Sequence, residues 1–168
     1  MKILFYGAKD YDQQFFDKLR PEYPDIEFVF IESNLYKETT SLADGYDGIC
    51  AFVNADLSAD VIEELRHQGV RLILMRCAGY NNVDLAKAKE CGISVLRVPG
   101  YSPEAAAEHA MALVLTANRH THKAYIKCRE NNFSLNGLMG INLYGKTAGI
   151  VGTGKIGLAM ARICQGFG

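Results

Sequence analysis

Near the end of the chain, Gly152-Thr153-Gly154-Lys155-Ile156-Gly157 forms a G-x-G-x-x-G run, directly after an apolar stretch and directly before a helical pattern. In that setting the first glycine permits a tight turn and the second lets backbone approach a pyrophosphate. The third lets helix and strand pack closely. The N–H groups that open the helix then face the phosphates. The run reads as the phosphate turn of a dinucleotide site, set against the plainer reading of a structural glycine turn. No Gly-Lys-Ser/Thr follows, so a Walker A loop is excluded. An acidic partner for the adenine ribose is expected about 20 residues further on, past Gly168, so these residues do not separate NAD from NADP.

A second chemistry-bearing stretch is Arg76-Cys77-Ala78-Gly79-Tyr80-Asn81-Asn82-Val83-Asp84. It follows an apolar strand pattern, and ligands of open α/β sheets gather at the carboxyl ends of strands. Backbone N–H groups of a glycine turn hold a carboxylate without a cationic side chain. An Asn-rich turn leading to a helix capped by Asp84 accounts for the same residues equally well. Arg76 is expected in an ion pair at a strand end.

Other reactive side chains have blander readings. His109 is expected to pack within a helix, and His67 to end a surface helix. His120 and His122 are two apart and share no helix face. Glu63, Glu64 and Glu104 read as solvated helix positions. The five cysteines, Cys50, Cys77, Cys91, Cys128 and Cys164, include no C-x-x-C pair. They are expected as buried reduced thiols, with no metal site.

The elements that must carry these loops alternate between strand and helix, the mark of a parallel α/β sheet. Strands are expected at Lys2–Tyr6, Ile26–Ile31, Gly48–Val53, Val70–Arg76 and Ile93–Val98. Their near-continuous apolar character suits strands covered on both faces. One helix presents Tyr11, Phe15, Phe16 and Leu19. Another presents Val61, Ile62 and Leu65, between Ser58 as N-cap and Gly69 past its end. A third runs from Asp84 to Cys91 and stops at Gly92. Ser33 to Ala43 reads as a short helix or loop. Ser102 caps and Pro103 opens a helix reaching about Lys127, roughly 37 Å long. It is apolar nearly all round from Ala105 to Ala117, hence expected to be buried on several sides. Asn131 to Tyr144 reads as loop, and Lys146–Val151 as the strand of a second α/β unit.

With 168 residues, 49% hydrophobic, 22% charged and a formal net charge of −1, the chain gives no electrostatic reason to expect nucleic acid or a membrane surface. No apolar run approaches the roughly 20 residues of a membrane span, and the strand-like N-terminus is no signal peptide, so a cytoplasmic protein is expected.

Four runs in order, R-C-A-G-Y-N-N-V-D-L, V-P-G-Y-S-P-E-A-A-A-E-H-A, N-F-S-L-N-G-L and Y-G-K-T-A-G-I-V-G-T-G-K-I-G, resemble the D-2-hydroxyacid dehydrogenases. Within that family they resemble the fermentative D-lactate dehydrogenases of bacteria. The resemblance covers nearly the whole chain and is most specific from Arg76 to Gly157. It implies a flavodoxin-like substrate domain over residues 1–100, an interdomain helix over 101–130, and the start of a Rossmann NAD domain over 131–168. The backbone of Ala78 and Gly79 would receive the carboxylate of a 2-keto or 2-hydroxy acid, with the Tyr101 hydroxyl nearby. Gly152, Gly154, Lys155, Ile156 and Gly157 would meet the NAD pyrophosphate. Family members reduce pyruvate with NADH, using a histidine proton donor, a glutamate that tunes it and an arginine that grips the substrate.

Motifs for that trio do not occur before Gly168, so no catalytic residue is assigned and the chain is expected to be an inactive front portion of an enzyme. Its tail from about Asn131 is expected to be disordered, to dock on the substrate domain or to pair with another copy, and apolar surface left open should favour homo-oligomers. A non-catalytic NAD-sensing or corepressor-like protein is the alternative. A receiver domain fits poorly despite Asp10 and Asp12, because Val53-Asn54 and Pro99-Gly100 stand where an Asp and a Lys are needed.

Overall fold

The computed structural model describes residues 1–168, which divide into two compact units, Met1–Tyr101 and Ser102–Gly168. In the first, strands β1 (Lys2–Phe5), β2 (Glu27–Phe30), β3 (Gly48–Ala51), β4 (Leu72–Met75) and β5 (Ser94–Arg97) form one sheet. All pairings are parallel, in the order β2-β1-β3-β4-β5. That is the flavodoxin-like order, whose switch point lies between β1 and β3. All five expected strands are present, each shorter by a residue or more at its ends.

Alternation along β1 sorts its residues onto two faces. Leu4 and Tyr6 join Ile49, Ala51, Ile73 and Met75 beneath helices α2 (Ala59–His67) and α3 (Leu85–Glu90). Val61, Ile62 and Leu65 of α2 are wholly buried there, as their spacing requires. Ser58 occupies the N-cap position without a side-chain bond, and Gly69 takes φ +92 past the helix end. Asp84 does cap α3, accepting from the Lys87 N–H at 2.9 Å. A 3-10 turn, Lys37–Ala43, fills the weak segment.

On the other face Ile3, Phe5 and Cys50 meet Phe28, Phe30 and Phe16 of α1 (Asp10–Leu19). Phe16 stacks edge-on to Phe5 and Phe28, with ring centroids 5.3 and 4.7 Å away. The α1 stripe is narrower than its sequence suggests. Tyr11, Phe15 and Leu19 are exposed, because one aromatic fills the contact with the sheet.

In the second unit the single long helix is two: α4 (Pro103–Arg119) and α5 (Thr121–Arg129). The break is at His120, whose left-handed φ of 52° cannot continue a right-handed helix. Ser102 caps α4 through its hydroxyl, which accepts from the Ala105 N–H. Only Ala107 and Met111 of α4 are buried, while Leu113 and Val114 are exposed. Helix α6 (Lys155–Gln165) packs against α4 within the same unit. Lys146–Val151, expected as a strand, joins no sheet. A parallel strand needs a neighbour, and none lies beside it. No helix is long and apolar enough to cross a membrane.

Candidate functional site

Strand β4 delivers the first candidate loop. Past Met75, Arg76 turns its guanidinium back into the first unit, where Nη1 meets Asp12 Oδ2 at 2.7 Å and Nη2 donates to Gly7 O at 2.8 Å. It lies between the rings of Phe5 and Phe52, 4.6 and 5.0 Å from their centroids. The expected ion pair is therefore formed, and this cation is spent internally. A cleft of about 420 Å³ beside it is lined by Lys9, Asp12, Asn34, Phe52, Asn54 and Arg76.

The next residues show a consistent polarity. Cys77 O accepts from Val98 N–H at 3.1 Å. Ala78 O accepts from Arg97 Nη1 at 2.8 Å, and Gly79 O from Cys77 Sγ at 3.3 Å. The N–H groups of Ala78, Gly79 and Tyr80 have no intramolecular acceptor. Carbonyls are thus held by the protein while three successive amides are left without a protein acceptor, the kind of backbone N–H row that can receive an anion. Asn82 Nδ2 braces the loop's far side by donating to Ala55 O at 2.9 Å. Ala78 is half-buried and Gly79 exposed. Tyr101, in the same unit, is exposed and its hydroxyl has no hydrogen-bond partner.

Neither buried thiol here is a nucleophile. Burial pushes Cys50 up to about 12, the Arg76 charge only partly opposing it. Burial also raises Cys77, again against Arg76. Tyr6 is raised too by burial, its hydroxyl donating to Thr39 O. Cys128, by contrast, is exposed, and Cys91 and Cys164 are half-buried, so the expectation of five buried thiols holds for two. No ion pair involves a histidine. His109, expected to pack, is exposed.

The second candidate element is the glycine turn. Gly152 has φ +95, which a side chain would strain. Gly154 is the N-cap of α6 in extended conformation, with open space where a Cβ would stand. A Cβ on Gly157 would run into the Gly152 carbonyl oxygen. The N–H groups of Lys155, Ile156 and Gly157 have no intramolecular acceptor, the first helical bond being Leu158 N–H to Gly154 O at 2.9 Å. The turn thus combines a left-handed first glycine, an open second one and a row of free amides at the start of α6, while the third glycine is required by the Gly152 carbonyl rather than by packing against a strand. The two candidate elements lie in different units.

Residues 3–162 match the family described as D-isomer specific 2-hydroxyacid dehydrogenase, catalytic domain. The chain belongs to that family. The D-lactate dehydrogenase of Escherichia coli K12 is 49% identical over 168 residues, all of this chain and 51% of that protein. The apo structure of D-lactate dehydrogenase from Escherichia coli superposes with a TM-score of 0.92 at 49% identity, covering 99% of this chain and 52% of that one. D-Lactate dehydrogenase from Aquifex aeolicus, complexed with NAD and lactic acid, gives a TM-score of 0.78 at 26% identity, covering 98% of this chain and 48% of the other. The chain thus spans about half the length of the curated relatives it matches.

The sequence marks both candidate loops of this dehydrogenase-family chain but not Arg97, which holds the Ala78 carbonyl. The signal was faint: a charged residue ending an apolar strand. What gives it meaning is β5 lying beside β4, with Arg97 paired in register to Met75.

Proposed function

We propose that this chain supplies the substrate-carboxylate loop and the first phosphate turn of an NAD-dependent D-lactate dehydrogenase, which interconverts pyruvate and D-lactate. The observation that carries the reading is the row of unpaired amides at Ala78, Gly79 and Tyr80, at the carboxyl end of β4, in a chain of this family. Two or more N–H groups converging on a carboxylate bind it through charge-assisted hydrogen bonds. They orient the 2-carbon without neutralising the acid with a mobile side chain. Tyr101 is assigned to the substrate, as a hydroxyl that donates to or accepts from its oxygens. Gly152 and Gly154 let the chain come close to the NAD pyrophosphate, Lys155 and Ile156 present N–H groups to it, and Gly157 keeps the turn tight. When bound, NADH supplies the hydride. The negative charge that builds on the substrate's carbonyl oxygen calls for a fixed cation and a proton donor. We assign both to residues outside these 168, because Arg76 is spent on Asp12 and no histidine here is paired with an acid.

Apolar residues open on the second unit, among them Leu113, Phe133, Leu135, Met139 and Val151, support self-association as a homo-oligomer. A cytoplasmic setting accords with free cysteines throughout.

The test uses the isotope-labelled chain. Oxamate, a stable pyruvate analogue, is expected to shift the amide resonances of Ala78 and Gly79, and NADH those of Lys155 to Gly157. Oxamate that leaves both loop amides unmoved rules out the substrate assignment. The chain is expected to show no pyruvate-dependent NADH oxidation, and measurable turnover would overturn the placement of the proton donor elsewhere.

A further inference from the structure

The peptide planes of the β4–α3 loop are aimed by what holds their carbonyls. No peptide bond in the chain is cis. In a trans unit the C=O and the following N–H point opposite ways. Each carbonyl held on the protein side therefore turns the next residue's N–H outward. Val98 N–H, holding Cys77 O, aims the Ala78 amide. Arg97 Nη1, holding Ala78 O at 2.8 Å, aims the Gly79 amide. Of these two holders, the first is fixed backbone continuing β5, while the second is a side chain that another residue could replace.

Arg97 is itself seated. It ends β5, in register with Met75, and its guanidinium lies over the Tyr80 ring, 5.0 Å from the centroid. One side chain thus grips the loop at a carbonyl and at a ring two residues on. A cation donating to the Ala78 carbonyl also draws charge out of that peptide group and strengthens its N–H as a donor. Glycine leaves the plane at position 79 otherwise free to rotate. No Cβ restrains it, and one placed there would meet nothing within 4 Å.

We propose that Arg97 is a positioning residue: by holding the Ala78 carbonyl it fixes the Gly79 N–H as a donor to the carboxylate of a small 2-keto or 2-hydroxy acid. The proposal rests on the reading of this loop as the carboxylate site. Arg97 acts through the peptide plane and need not touch the acid.

The experiment titrates oxamate into the full ¹⁵N-labelled chain and follows the Ala78 and Gly79 amides separately in wild type, Arg97→Met and Arg97→Gln. In wild type both amides respond. In Arg97→Met the Gly79 response is expected to vanish or its midpoint to rise at least tenfold. The Ala78 response persists, since its plane is held by Val98. Arg97→Gln, which keeps a neutral donor, recovers part of the Gly79 response, and unchanged urea midpoints in both variants show the fold intact. An unaltered Gly79 response in both variants overturns the proposal. So does equal loss at the two amides, or a Gln variant no better than Met, because either means that charge rather than positioning is at work. Silence of both amides in wild type overturns the carboxylate reading itself, and the role of Arg97 with it.

Discussion

Arg76 Nη1 lies 2.7 Å from Asp12 Oδ2, joining residues 64 apart in sequence and tying the carboxyl end of β4 to the first turn of α1. Both side chains are largely shielded, 20% and 14% exposed, and Asp12 also accepts from the Lys9 N–H at 2.9 Å. The Arg20–Asp17 pair, 2.9 Å long, is by contrast about half exposed, at 55% and 47%. Removing a shielded partner strands a charge, whereas an exposed pair is screened by water. Asp12→Ala is therefore expected to cost about 2 kcal/mol, and Asp17→Ala under about 0.5 kcal/mol. Urea unfolding of the two variants side by side checks this, and equal midpoints would remove the pair's structural importance.

The glycine turn separates two kinds of requirement. Gly157→Ala drives a methyl into the Gly152 carbonyl oxygen, so the turn must open or α6 must shift. A destabilisation of about 1–3 kcal/mol is expected, as for overpacking generally. Gly154→Ala meets no neighbour and keeps an allowed φ of −71, so it escapes the clash and loses only the advantage of glycine over alanine at an N-cap, about 0.5–1 kcal/mol. Its methyl would nonetheless stand in the space a pyrophosphate needs, so NADH-induced shifts at Lys155 and Ile156 should be lost in Gly154→Ala although it is destabilised less than Gly157→Ala.

Alkaline pH should loosen the first unit through its buried acids. Burial raises Cys50 from 9.0 to about 12, and moves Cys77 and Tyr6 upward as well. Each group keeps its proton when folded at a pH where it loses it when unfolded. The native state thus binds more protons, and stability falls as pH rises. For Cys50 the contribution is whole below pH 9 and is lost between 9 and about 12, at about 1.4 kcal/mol per pH unit. Cys50→Ala removes this dependence, so the wild-type slope of unfolding free energy against pH, measured from 8.5 to 10.5, should exceed the variant's. Parallel slopes would contradict the burial of this thiol.

How far sequence reaches can be seen residue by residue. Runs such as Ile49-Cys50-Ala51 and Leu72-Ile73-Leu74-Met75 announce buried parallel strands, because apolar and β-branched residues have few other places to go. The glycine run announces its own turn, since a φ of +95 and a close backbone approach are demands only glycine meets. Other features depend on partners far along the chain. Nothing in Tyr11, Phe15 and Leu19 indicates that Phe16 alone fills the gap over Phe5 and Phe28. The left-handed His120 interrupts a stretch whose composition suits an unbroken helix. Arg97 acquires its place from strand order and register, which no local pattern encodes.

A second long-range contact offers the last test. Asn118, near the end of α4, donates from Nδ2 to Ile141 O at 2.8 Å and accepts at Oδ1 from Ile141 N–H at 3.0 Å. Its amide thus imitates a strand neighbour for one residue of a loop that has no strand. The approach is close, since a Cβ on Gly140 would collide with the Asn118 backbone carbonyl. Lys127 Nζ adds one bond to the same loop, to Asn136 O at 2.9 Å. Asn118→Ala removes a donor and an acceptor together, worth about 1 kcal/mol each, and the Ile141 amide should exchange with solvent at least about tenfold faster. Asn118→Asp keeps the acceptor but sets a carboxylate oxygen against the Ile141 carbonyl, so it should be no better than alanine. Gly140→Ala attacks the same contact from the other side. Because both changes break one contact, the double variant should accelerate exchange by less than the product of the two single effects. Multiplicative effects would mean that Asn118 and Gly140 hold the loop independently, and the clasp would not be the unit that orders the approach to the glycine turn.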